Sequence, residues 1–187
     1  MGITALIVLL IVVAVIAFMV IGIYNRLVRT RQNVRESWSA IDTELRRRYD
    51  LIPNLVETVK GYATHERETL ENVIKARNAA ISNTGSPAEQ AETENMLTGA
   101  LRQVFALSEA YPQLRANENF NQLQEQLGET ETRISQARRF YNANVREMNT
   151  AVESFPSSLI ASNFGFRPEQ YFEIDEPAAR GPVQVKF

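Results

Sequence analysis

From position 3 to position 23 the chain is apolar at nearly every residue, and it then passes through Tyr24-Asn25-Arg26 into a polar, helically patterned stretch with no proline or turn cluster between. At 1.5 Å rise per residue, about 21 residues reach roughly 30 Å, the thickness of a bilayer's hydrocarbon core. A secretory signal would instead show a cationic start, a shorter apolar stretch and a small-x-small cleavage site. None of these is clear, and only the amino group of Met1 is positive on the leading side. Arg26, Arg29, Arg31 and Arg35 come after the run. Because an excess of arginine marks the cytoplasmic flank, one span is expected, with the N-terminus outside and the C-terminal bulk in the cytoplasm. Gly2 fits a myristoylation start, but Leu6 stands where Ser or Thr is needed, so lipidation is set aside.

Past the span, Val34, Trp38, Ile41, Leu45, Ile52, Leu55, Val59 and Tyr62 recur at steps of three, four or seven, one stripe of a long helix. Pro53 falls inside it, where it lacks a donor and crowds the preceding turn, so a kink near residues 49–52 or a restart capped by Asp50 is expected. Gly61 marks an end. Thr64 as N-cap and Glu66 in the first turn then predict a second helix to about Ile81, with Leu70, Val73, Ile74 and Ile81 facing the core beside Ala80. Arg77 shares that stripe, its stem covering apolar surface while the guanidinium reaches water or a carboxylate.

Ser86-Pro87-Ala88-Glu89 combines an N-cap serine, proline at the first helical position and a glutamate three residues on, the clearest helix start in the chain. The third helix carries Leu97, Leu101, Val104, Leu107 and Tyr111 inward and stops near Pro112. A fourth begins around residues 117–120 and holds Phe120, Leu123, Leu127, Ile134, Tyr141, Met148 and Val152 at close to heptad, coiled-coil-like spacing until Phe155-Pro156. Gly128 lies within it and weakens it by about 1 kcal/mol relative to Ala.

The expected fold is therefore all-α: an N-terminal transmembrane helix followed by an antiparallel helical bundle with long first and last helices. Residues 1–24 form the anchor, 25–155 the cytoplasmic bundle and 156–187 an aromatic segment with an extended tail from Glu173. Short links make neighbouring helices antiparallel. The fourth helix then delivers Phe155 and the residues after it back towards the membrane. Phe164, Phe166, Tyr171 and Phe172, around Gly165 and Pro168, pack either on the bundle or on another protein.

With 187 residues the chain has room for one ordinary domain beyond the span. Twenty basic and 22 acidic residues leave a net charge of −2, so no global field favours nucleic acid. The juxtamembrane arginines are the local exception, read as topology determinants meeting anionic lipid headgroups at roughly 1 kcal/mol each. Without cysteine there is no disulfide or thiolate metal site.

Candidate chemistry is thin. The one histidine, His65, has Tyr62 three residues before it and Thr69 four after, so neither a Glu-x-x-His di-iron pair nor a zincin pair is formed, and it reads as a surface residue. Ser154, Ser157 and Ser158 have no second histidine as base, and spacing gives only slight support to a dyad with Lys60 or Lys75. The glycines are isolated and build no phosphate loop. The Arg46-Arg47-Arg48 run reads as a solvated helix face, and Trp38 and Tyr49 as core. No catalytic residue, metal or cofactor is expected.

The string DLIPNLVETVKGYATHE around Pro53, with RRFYNANVREMN and FPSSLIASNFGF followed by YFE, resembles the LemA family across nearly the whole chain. The resemblance implies a single-span bacterial inner-membrane protein with a cytoplasmic helical bundle. It implies no enzyme, and relatives connected with magnetosome formation point to membrane organisation. The expected function is a membrane-anchored scaffold that contacts lipid and self-associates as a homo-oligomer. The alternative is an adaptor or regulator binding another membrane protein, such as a quality-control protease, through the aromatic C-terminal segment.

Overall fold

The computed structural model describes residues 2–174. Among them are six helices and no strand: α1 (Gly2–Lys60), α2 (Arg67–Ser82), α3 (Pro87–Ala110), α4 (Pro112–Arg115), α5 (Glu118–Glu153) and α6 (Ser157–Asn163). The expected all-α architecture with two long antiparallel helices is present. The expected tail lies, from residue 175 on, outside the described residues.

Helix α1 runs without a break through Pro53, so the expected restart capped by Asp50 does not occur. The oxygen that Pro53 cannot satisfy is the carbonyl of Tyr49, four residues earlier. It accepts instead from Nε of Arg77 at 2.7 Å, and α2 thereby completes the ladder of α1. Arg77 reaches a carbonyl, not the water or carboxylate expected of it.

The start of α2 also differs from expectation. It begins at Arg67 after Glu66, with no side-chain cap, so Thr64 is not the N-cap. Its buried residues are Leu70, Val73, Ala76 and Ala80. Ile74 and Ile81, expected inside, are exposed, because the inward line runs along small alanines. The start of α3 is as read: Ser86 accepts from the Glu89 N–H while the Glu89 carboxylate accepts from the Ser86 N–H, with Pro87 at the first position. This box satisfies two amides that a helix start leaves open.

Two compact units divide the chain. One joins the residues up to Ala40 to Arg139–Glu169. There α1 and α5 run antiparallel, since Asn144 Nδ2 donates to the Asn33 carbonyl at 3.4 Å while Trp38, further along α1, meets Tyr141, earlier in α5, at 5.3 Å between rings. Its buried line on α1 is Leu27, Thr30, Val34 and Ser37, at steps of three and four. The two hydroxyls in that line cost little, because Thr30 donates to the Arg26 carbonyl and Ser37 to the Val34 carbonyl.

The other unit comprises Ile41–Arg138 with the residues from Gln170 onward. Its core includes Ile41, Leu45, Ile52, Leu55 and Val59 of α1, Leu97, Leu101 and Val104 of α3, and Phe120, Leu127 and Ile134 of α5. Tyr62, placed on the stripe by spacing, is exposed, and its hydroxyl accepts from Asn117 Nδ2 at 2.9 Å. Helix α2 packs against α3. Within this unit too α1 and α5 are antiparallel, as Arg48 meets Glu131 and Tyr62 meets Asn117.

Candidate functional site

The leading part of α1 has an outward apolar surface. Every residue from Thr4 to Met19 is exposed, and the helix contains a stretch long and apolar enough to cross a membrane, with mean hydropathy 3.5 and none of it buried. Tyr24 ends this surface and the arginines come next. Arg26, Arg29 and Arg35 are exposed, whereas Arg31 is half-buried with its guanidinium carbon 4.8 Å from the centre of the Phe166 ring. A cation over an aromatic face is attracted by the ring quadrupole.

Local sequence places Phe166. Helix α6 ends at Asn163 with Phe164 as its C-cap, Gly165 takes φ of +71°, and the Phe166 N–H returns to the Ala161 carbonyl at 3.0 Å. This is a glycine-dependent Schellman close, which folds the next side chain back on its own helix. Tyr24 then meets Phe164 and Phe166 edge-on at 4.9 and 5.8 Å. Asn149 holds the chain beyond, donating from Nδ2 to the Glu169 carbonyl at 3.0 Å and accepting from the Glu169 N–H at 2.7 Å. Nearby Tyr141 is buried, and burial with the charge of Glu169 pushes its hydroxyl up to about 12.

Of the four C-terminal aromatics, the structure brings Phe164 and Phe166 to this arginine-bearing stretch; Phe166 is buried and Phe164 exposed. Tyr171 and Phe172 belong to the second unit, where Phe172 is fully buried and Tyr171 is open to solvent. There the segment is tied down by Arg138, whose Nη1 donates to the Ile174 carbonyl at 2.6 Å.

The second unit also holds a polar cluster that the sequence pattern does not predict. Arg46 and Arg47 are exposed, but Arg48, expected on the solvated face, is buried. It lies three residues after Leu45 and four before Ile52, on the core stripe itself. Its Nη2 pairs with the buried Glu94, and its Nη1 donates to Glu131 at 2.7 Å and Thr98 at 3.3 Å. Glu94 also accepts from the Tyr49 hydroxyl. Burial, then the negative charge of Glu94, drive the Tyr49 hydroxyl well above the ordinary tyrosine range. A cleft of about 340 Å³ opens beside this cluster, lined in part by Arg102, Phe105 and Gln124. With Arg48 shared between the carboxylates of Glu94 and Glu131, the cluster joins three helices. His65 is exposed in the turn before α2.

These features define an all-helical protein whose first helix pairs an apolar, membrane-length surface with an arginine-bearing continuation built into a bundle. The LemA family model matches residues 37–187, and the chain belongs to the LemA family. Protein LemA of Metamycoplasma hominis is 24% identical, with 88% of this chain and 75% of that protein covered. Magnetosome protein MamQ of Magnetospirillum gryphiswaldense is 23% identical over 86% of this chain and 68% of its own length. Magnetosome protein MamQ 2 of Paramagnetospirillum magneticum is 25% identical over 92% and 72%. The apolar helix and these relatives together support a membrane-associated protein.

Proposed function

We propose that this chain is a non-enzymatic scaffold, anchored by residues 3–23 in the bacterial inner membrane with its N-terminus outside and its bundle in the cytoplasm, where copies self-associate. One observation carries the reading: α1 leaves its exposed apolar stretch and enters the bundle without a break. A scaffold needs such a connection, since a flexible linker would let the bundle turn freely beneath its anchor. Arg26, Arg29 and Arg35 stand exposed just past the apolar run, which fits both the orientation and contact with anionic headgroups. Relatives named as magnetosome proteins favour a part in membrane organisation.

The test is the mass of the full chain in lipid nanodiscs and mild detergent across a wide range of concentration. Discrete oligomers are expected, and a strict monomer throughout would overturn self-association. The adaptor reading has less support, because two of its four contact residues, Phe166 and Phe172, are buried.

A further inference from the structure

The connection from α5 into α6 carries an exposed apolar ridge with no use in the core. Phe155 is 80% exposed, and Leu159 and Phe164 are each 57% exposed. In α6, Leu159 and the buried Ala161 are two residues apart, roughly 200° around the helix, so Leu159 points away from the packed side. Two independent contacts fix the height of this ridge along α1. Phe164 sits edge-on against Tyr24. Phe155 shares a cleft of about 380 Å³ with Met19, Ile23, Arg26 and Leu27 of α1 and Thr150 of α5.

A span starting near residue 3 uses up roughly 30 Å of hydrocarbon by about residue 23. Tyr24 therefore falls at the level where aromatic side chains collect, and Arg26 at the level of lipid phosphate. Phe155, in one cleft with Met19 and Ile23, reaches the acyl side of that boundary. The ridge continues the apolar surface of the anchor at the depth where that surface ends.

We infer that the turn between α5 and α6 is a second membrane contact, in which Phe155, Leu159 and Phe164 embed in the headgroup–acyl boundary of the bilayer that the first helix crosses. The inference rests on reading residues 3–23 as a membrane span. Side chains set in this boundary sit about 5–10 Å deep, shallower than the middle of a span. The protein grips the bilayer at two points of one unit, which restrains tilt and rotation of α1.

The chain has no cysteine, so single-cysteine variants can be labelled cleanly with the fluorophore NBD. The full-length variants F155C, L159C and F164C are reconstituted into phosphatidylethanolamine–phosphatidylglycerol vesicles containing lipids with shallow or deep acyl spin labels. V13C reports the span itself, and F140C, at an exposed site on α5 about 20 Å from Ser154, reports the aqueous side. The three ridge positions are expected to be quenched by shallow labels at least about half as strongly as V13C is by deep ones, as fits that depth. Phe140→Cys stays unquenched. Quenching of V13C with all three ridge positions at the F140C level would overturn the second contact and leave the anchor standing. A blue-shifted ridge signal without lipid quenching would mean that a second copy covers the ridge, which also overturns it. An unquenched V13C would overturn the anchor and the second contact together.

Discussion

Arg77 donates to the carbonyl of Tyr49, the one oxygen in α1 that Pro53 leaves without its helical donor. The proline and the arginine therefore act as a pair across two helices. Replacing Arg77 by methionine should cost about 1–3 kcal/mol, as for a buried carbonyl left unpaired. Pro53→Ala restores an N–H at the right place, so it should recover more stability in the R77M background than in the natural chain. Urea unfolding of the four detergent-solubilised variants gives the cycle, and equal effects of P53A in both backgrounds would refute the pairing.

Arg48 and Glu94 form a buried ion pair that is costly to break and cheap to replace. Arg48→Met strands the Glu94 carboxylate in the core and should destabilise the fold by about 3–5 kcal/mol. Combining R48M with E94L and Y49F removes that carboxylate together with both of its core partners, and most of the lost stability should return. Thermal melts followed by circular dichroism compare the two, and a triple variant no better than R48M would show that the cluster has a role beyond pairing.

Both buried tyrosines release their protons less readily in the folded chain than the ordinary value of 10.0 would give. Burial is the first cause for each, followed by Glu94 at Tyr49 and Glu169 at Tyr141. Above that ordinary value the unfolded chain loses protons that the folded chain keeps, so stability is present in full below it and falls as pH rises. For Tyr141 the loss runs from 10.0 up to about 12; for Tyr49 it continues higher. The stability of Y49F and Y141F should fall less steeply than that of the natural chain over the alkaline range, measured as the urea midpoint at each pH.

The four C-terminal aromatics divide by burial. Truncating Phe166 or Phe172 to alanine should cost about 3–5 kcal/mol, as for other buried phenylalanines. Phe164→Ala and Tyr171→Ala should stay within about 0.5 kcal/mol of the natural chain, as exposed positions do. Denaturant midpoints of the four variants decide, and a large loss at Phe164 would mean that its contact with Tyr24 is structural.

The three-and-four spacing of Ile41, Leu45, Ile52 and Leu55 declares their burial because a helix returns to the same face at that step. The Ser86-Glu89 box is equally readable, since both partners lie in one local string. Arg48 and Glu94 are not, although both fall on their core stripes: what makes burial tolerable is an opposite charge 46 residues away, which no local window contains. The same holds for Pro53, whose compensation comes from α2. On α2 itself, size misleads, for the larger Ile74 and Ile81 stand outside while Ala76 and Ala80 pack. Helix α6 has too few turns for a period to show. Short antiparallel links already return Phe155 towards the apolar stretch, but its exposure beside Leu159 and its height along α1 come only from the packed chain.

The hydrogen bond from Asn144 to Asn33 joins residues 111 positions apart. Translation delivers the apolar stretch of α1 well before the α5 residues that cover its continuation. At about 5–20 residues per second, α1 waits several seconds on the ribosome with the faces of Leu27 and Val34 open. A nascent chain cut short before Tyr141 keeps its apolar stretch but not the cover for the face of Leu27 and Val34.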